Sequence, residues 1–454
     1  MSTIAAISTP HASGGISVIR ISGDDALKIA EQIFSPISTH LKATQMQGYT
    51  CAYGSICDGD NHYDDGVLTI FKSPRSYTGE DIAEISCHGG IYVTEQILRL
   101  ILSKGARIAE AGEFTKRAFL NGKMTLTQAE AVMDIISANG AAVHKSAVAL
   151  REGALFKRIN TVTTKLLNLL GELAAWVDYP DDDIPAVDEN NMLDTLLDVK
   201  AELAIILNEY SFGRIIREGI DTVIVGKPNV GKSTLMNLLS GCERSIVTDI
   251  AGTTRDIVEE SVRLGNVVLR LSDTAGIRET GDIVESFGVE RANKKIETAE
   301  LILAVFDNSE ALNDDDYKLI DKCLNKNAIA IINKSDKDTA LDRDYINSKF
   351  TSVITISAFL GTGLSELQNI LEDMFKVNMI FDNPAIIANE RQRICVQTAF
   401  SSITNAIEDL QIGMTLDAIN ILIDDALNAL LELTGERATE AVVDEVFSQF
   451  CVGK

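Results

Sequence analysis

No apolar run in this 454-residue chain reaches the roughly 18 residues of a membrane-spanning helix, so no membrane span or membrane partner is expected. The seven cysteines are scattered and odd in number, without a Cys-x-x-Cys pair. That pattern points to reduced thiols in a cytoplasmic protein and away from a disulfide framework. Positive charge is short: 41 Lys and Arg stand against 66 Asp and Glu, a formal net charge of −25. Such a balance argues against non-specific nucleic-acid binding, and an RNA partner would need a local basic face or a second protein to help hold it. Residues 1–10 have neither a basic start nor an apolar core, so no secretory signal is expected. Internal repeats and low-complexity tracts are also missing. What remains is an ordinary globular composition, 46% hydrophobic and 24% charged, long enough for about three domains.

The richest feature is Gly226-Lys227-Pro228-Asn229-Val230-Gly231-Lys232-Ser233-Thr234. It fits the phosphate-binding pattern of Gly, four residues, then Gly-Lys-Ser, between the apolar run 222–225 and the helix-like run 234–239. Glycines let backbone N–H groups converge on phosphate oxygens, Lys232 reaches the β- and γ-phosphates, and Ser233 can ligate magnesium. Downstream, Asp273-Thr274-Ala275-Gly276 follows the apolar run 267–271, as a magnesium-holding carboxylate and a γ-phosphate contact require. Asn333-Lys334-Ser335-Asp336 closes a further apolar run, and the Asp336 carboxylate can accept two hydrogen bonds from guanine that adenine cannot offer. Ser357-Ala358 fits a loop packed against the base. In this order and spacing the motifs select GTP.

Texture along the chain suggests the domain order. Residues 1–118 mix short strand-like runs (16–21, 67–71, 82–86) with helices such as 92–103, which reads as an α+β domain. From Thr125 the pattern turns helical: Thr125 to Gln128 fits a capping box, and Leu126, Ala129, Met133 and Ile136 follow helical spacing. Val162, Leu166, Leu169, Leu173 and Trp176 form a second stripe; an acidic stretch at 178–185, read as a solvated turn, interrupts it, and Leu193, Leu197, Ala204 and Leu207 resume helix. The GTP-binding module spans 217–377, and helical texture returns over 378–454. Neither helical half has a partner of its own, so the economical arrangement packs 119–216 with 378–454 and inserts the GTPase between them.

Two details bear on hydrolysis. Ras-type switches carry a water-orienting glutamine directly after the Asp-x-x-Gly; here Ile277 stands there, so the catalytic group must come from elsewhere, either within 278–285 or from a partner. In Thr248-Asp249-Ile250-Ala251-Gly252-Thr253-Thr254, a threonine can reach magnesium, while carbonyls and the Asn229 side chain could offer oxygens to a monovalent cation. Such an ion would sit where an arginine finger otherwise acts. An Asx-type bond within its own loop is the other reading of Asn229, and Arg255 and Arg278 are rival fingers.

At these residues the chain resembles the MnmE (TrmE) family of tRNA modification GTPases. The likeness runs through Ile19 to Gly23, Tyr77 to Asp81, His88-Gly89-Gly90, Gly112 to Lys123, Asp249 to Asp256 and the ending Phe450-Cys451-Val452-Gly453-Lys454. It implies an N-terminal α+β folate-binding and dimerisation domain, a discontinuous helical domain and an inserted Ras-like phosphate-loop GTPase domain. It further implies a potassium-dependent enzyme that pairs as a homodimer and works with the FAD-dependent MnmG (GidA) family, in a heterotetramer or larger complex. Together they would build an aminomethyl-type (carboxymethylaminomethyl) group on C5 of the wobble uridine of certain tRNAs. By the resemblance, Asn229, Thr248, Ile250 and Thr253 hold potassium, Ser233 and Thr254 hold magnesium, and Glu285 positions the water, through a second water. Arg20, Glu84, Lys123 and Lys454 would hold a tetrahydrofolate derivative (5,10-methylene or 5-formyl), with Cys451 a candidate for chemistry on the uridine or one-carbon unit. Taken alone, those four folate candidates read as surface residues. The competing expectations are a regulatory GTPase switch without tRNA chemistry, and a folate-dependent one-carbon transferase that GTP merely regulates.

Overall fold

The computed structural model describes residues 1–37, 42–138, 140–178, 188–241, 260–271, 295–377, 386–387 and 389–453. The chain forms two compact units, one of residues 1–133, 156–192 and 401–454, the other of residues 134–155 and 193–400.

Seven strands build the sheet of the first unit: β1 (Ile4–Ile7), β2 (Ile16–Ser22), β3 (Phe34–Pro36), β4 (Thr50–Asp58), β5 (Asn61–Phe71), β6 (Ile82–His88) and β7 (Arg107–Ile108). Their order is β3-β4-β5-β6-β2-β1-β7, and every pairing is antiparallel except that of β1 with β7. Strand alternation splits β2 between two faces. Ile19 and Ile21 are buried in the core shared with the helices Ala26–Ile33 and Ile91–Ser103. Arg20 goes to the opposite face, in register with Glu84 of β6, which in turn lies in register with Thr69 of β5. On that face a small second core of Ile4, Ala6, Ala109 and Phe114 seats the helix Glu113–Leu120.

A ladder of ions ties that helix down. Arg117, with only 3% of its side chain exposed, donates to both Glu80 oxygens at 3.0 Å and to Glu113 at 2.9 Å. Glu113 also receives Arg107 and the Glu110 N–H. The C-terminal helix Glu440–Ser448 joins the same unit: Val443, Phe447 and Phe450 pack with Ala118, Met124, Leu126 and Ala129. The Thr125–Gln128 capping box forms, with Gln128 accepting from the Thr125 N–H at 2.9 Å and its own N–H reaching the Thr125 hydroxyl at 3.3 Å. The helical domain is discontinuous in sequence.

Two helical stripes differ from expectation. In Glu189–Glu218 the buried positions are Met192, Leu196, Val199, Leu203 and Ile206, and Leu197 is exposed. In Leu126–Ser137, Ile136 is exposed. Both helices carry apolar residues on more than one side, so spacing finds the helix while its neighbours choose the face. No helix among the described residues is long and apolar enough to cross a membrane.

The second unit holds β8 (Ile220–Val225), β9 (Glu260–Leu264), β10 (Val267–Leu271), β11 (Leu301–Asp307), β12 (Ala328–Asn333) and β13 (Ser352–Thr355), in the order β13-β12-β11-β8-β10-β9. All pairings are parallel except the β9–β10 hairpin. β11 and β12 are buried along their whole length, as a parallel sheet covered on both faces requires. Separate cores line the two sides. The architecture is that of a Ras-like domain.

Acid should loosen the first unit through Glu113. Burial penalises its charged form, but the bonds from Arg107, the Glu110 N–H and Arg117 outweigh that and hold its pKa below the usual carboxylate range. A depressed folded pKa contributes stability above the unfolded value and loses it as pH falls, here below about pH 4. Glu113→Gln should cost about 3 kcal/mol at neutral pH, because Arg117 would remain buried with a weakened partner set. Thermal unfolding of parent and variant from pH 7 to pH 3 should show the gap closing with acid; a constant gap would remove Glu113 ionisation from the account.

Candidate functional site

All the described nucleotide motifs stand at the carboxyl ends of parallel strands, where α/β sheets bind ligands. The phosphate loop follows β8 and enters the helix Lys232–Ser240, whose N-terminal N–H groups and dipole favour an anion. Gly231 has φ +99°, and a Cβ there would overlap the Asn333 amide nitrogen, so only glycine lets the two loops touch. Asn229 is also left-handed, at φ 65°.

Asn333, at the end of β12, is 2% exposed and faces both ways. Its amide donates to the Val230 carbonyl at 2.9 Å, and its oxygen accepts the Ala358 N–H at 3.0 Å. Lys334 donates to the Asn229 carbonyl at 2.7 Å and to Asp307 at 2.5 Å. The Ser357 hydroxyl donates to Asp336 at 2.5 Å and takes the Leu360 N–H at 3.2 Å. That hydroxyl bond leads the causes that hold the Asp336 carboxyl below its ordinary pKa, so it is an ionised acceptor. Asn229, Val230, Gly231, Asn333, Lys334, Asp336, Ser357 and Ala358 are thus brought into one lattice.

Lys232 donates to the Gly226 and Lys227 carbonyls at 2.8 and 2.7 Å, which fixes the ammonium inside its own loop, and burial lowers its pKa. Ser233 and Thr234, exposed on the first turn of the helix, present hydroxyls beside it. Lys227 was not expected to matter: its ammonium, 11% exposed, reaches Asp316 at 3.2 Å and Glu310 at 3.0 Å and pins the flank of the loop. Thr248, Asp249, Ile250, Ala251, Gly252, Thr253, Thr254, Asp273, Thr274, Ala275, Gly276 and Glu285, with the rival arginines Arg255 and Arg278, lie outside the described residues.

In the first unit, Arg20 meets Glu84 at 2.7 Å, and its guanidinium lies 5.4 Å from the Tyr77 ring centre and 5.5 Å from that of Phe114. The two rings were not singled out in the sequence, although Tyr77 and Phe114 stand in the stretches that carry the resemblance. Lys123 donates to the Pro74 carbonyl at 3.0 Å, so Arg20 and Lys123 both contact the segment 74–77. The chain ending lies on this unit: Val452 pairs with Ala111, the Cys451 carbonyl takes the Gly112 N–H at 3.4 Å, and Ser8 donates to the Gly453 carbonyl at 3.1 Å. Burial raises the Cys323 thiol to about 11 and pushes Cys87 upward, whereas Cys451 is exposed. Lys454 lies outside the described residues.

Fold and site together define a phosphate-loop GTPase of Ras-like fold carried with an α+β domain and a helical domain. Comparison with known proteins is specific. The family described as MnmE helical domain matches residues 126–451, and the one described as GTP-binding protein TrmE N-terminus matches residues 3–123. A protein of Acetivibrio thermocellus named tRNA modification GTPase MnmE is 43% identical over 460 residues, covering 100% of this chain and 99% of its own length. Its namesake in Clostridioides difficile is 41% identical, covering 100% of this chain and 99% of its own length. Among solved structures, Aquifex aeolicus Era bound to GDP and aluminium fluoride is 30% identical, covering 40% of this chain and 66% of that one at a TM-score of 0.27. The chain belongs to the MnmE family.

Asp336→Asn should change base preference without harming phosphate binding. An amide offers one donor and one acceptor, which suits xanthine and not guanine. GTP affinity should fall about a hundredfold or more, with xanthosine triphosphate gaining. Unchanged GTP affinity in a titration would refute the guanine assignment.

Proposed function

We propose that this chain is a potassium-dependent GTP hydrolase of tRNA modification. With an FAD-carrying partner of the MnmG (GidA) type, it installs a carboxymethylaminomethyl-type group on C5 of the wobble uridine. A folate one-carbon unit would supply the methylene carbon bonded to C5, and an amine donor the rest of the group. The observation that carries the GTPase half is the Asn333 joint between the phosphate loop and the base-reading loop. Likeness along 100% of the chain to proteins named tRNA modification GTPases supports the tRNA half and disfavours a bare regulatory switch.

Among the described residues, Ser233, Asn229, Arg20, Glu84 and Lys123 have side-chain chemistry suited to the proposed ions and cofactor. Ser233 offers an exposed hydroxyl at the helix start for magnesium, with Thr254 as the second candidate. Asn229 is exposed in the phosphate loop, its main chain fixed by Lys334, so its carboxamide oxygen is available to potassium; Thr248, Ile250 and Thr253 are the other proposed ligands. When bound, potassium would offset charge developing between the β- and γ-phosphates, as an arginine finger does. Glu285 is proposed to position the attacking water, since Ile277 can neither orient nor activate it. For folate, the Arg20–Glu84 pair has the chemistry proposed: a carboxylate for pterin N–H groups, with cations including Lys123 and Lys454 for the carboxylate tail. Cys451, an exposed thiol, is proposed for chemistry on the uridine or the one-carbon unit.

GTP turnover in matched potassium and sodium chloride tests the hydrolytic half. The parent should be faster in potassium by about tenfold or more and should speed up with protein concentration, as a loop ordered around the ion would pair two GTPase domains. Asn229→Ala should lose that preference, and Glu285→Ala should bind GTP normally while kcat falls by roughly 10²-fold. Equal parent rates in both salts would sink the cation assignment, and collapse only in Arg255→Ala or Arg278→Ala would favour an arginine finger.

A further inference from the structure

Asp307 ends β11, one strand over from Asn333, its register partner on β12. Its carboxylate is 2% exposed, an expensive place for a charge unless it is fully bonded. One oxygen accepts the Ser309 N–H at 2.9 Å and the Ser309 hydroxyl at 2.7 Å. The other accepts the Lys334 ammonium at 2.5 Å. Burial disfavours its charged form, and the bonds from Lys334 and Ser309 outweigh that, leaving the group ionised. The same ammonium donates to the Asn229 carbonyl at 2.7 Å, and both Lys334 and Asn229 are left-handed, at φ 62° and 65°. Non-glycine residues hold that conformation only where their surroundings dictate it. The next residue, Asn308, is fully buried and holds the far end of the base loop through the Lys337 carbonyl at 3.1 Å.

We propose that Asp307 is a positioning residue for the guanine nucleotide. It holds the Lys334 ammonium on the Asn229 carbonyl and so locks the base-reading loop to the phosphate loop before nucleotide arrives. Nucleotide affinity, and not only stability, then depends on a carboxylate that touches no nucleotide atom. The inference rests on the GTPase reading and can fail separately from it.

Titrate GDP into the parent, Asp307→Asn, Lys334→Met and the double variant, and record melting temperatures alongside. The parent should bind GDP and not ADP; failure there would overturn the GTPase reading itself. Each single variant should weaken GDP binding about tenfold, the loss of one charge-assisted bond. The double variant should be no weaker than the worse single, because both remove the same clamp. Ser309→Ala, which removes a bond to the same carboxylate but leaves the clamp, should lower the melting temperature with GDP affinity kept. Three results would overturn the proposal: losses that multiply to about a hundredfold in the double variant, Asp307→Asn changing melting temperature alone, or an equal affinity loss in Ser309→Ala.

Discussion

The Asn333 carboxamide carries the contact on which the nucleotide site depends, because it bonds two loops that follow different strands. Its amide meets the Val230 carbonyl in the phosphate loop and its oxygen meets the Ala358 N–H in the base-facing loop. A buried amide has few positions that satisfy both ends, so loop separation is set to within hydrogen-bond tolerance. Gly231 exists in that form because the Asn333 nitrogen occupies the space a side chain would need. Lys334 and Asp307 repeat the arrangement one residue further on, with charge. Both ties sit at the carboxyl ends of a parallel sheet buried on two faces, a frame stiff enough to hold a preorganised anion and base site.

The first unit works by a similar economy. Arg117, Glu113, Glu80 and Arg107 satisfy one another in a place where any one alone would be costly, and they seat the helix that carries Phe114. Phe114 and Tyr77 then flank Arg20, which Glu84 orients. Gly112, two residues before Phe114, is bonded to Cys451, so the chain ending and the helix start are fixed to each other. A helix position, an aromatic pair and a chain ending are therefore mechanically linked within one unit.

Much of the GTPase half was legible because its signals are local. An apolar run followed by glycines and Gly-Lys-Ser can fold in few ways, and β10 spans the five residues 267–271 read from the sequence. Local signals failed where the deciding partner is distant in sequence. Asp307 looks like any polar strand end until β11 and β12 pair and place it beside Asn333. Lys227 looks like a surface lysine until Asp316 comes beneath it. The buried stripe of Glu189–Glu218 could not be chosen from spacing, since two stripes satisfy it. In the N-terminal sheet the resemblance supplied the candidates Arg20 and Glu84, but only the antiparallel register of β2 and β6 puts them in contact.

If this GTPase lattice serves chemistry on tRNA, the modified uridines must report it. Mass spectrometry of wobble uridines tests it most directly, using tRNA from cells with the chain, without it, and with the chain carrying Asp336→Asn. C5-aminomethyl-type uridines should be present in the first and lost in the second and third. Unchanged C5 modification in cells without the chain would rule that role out.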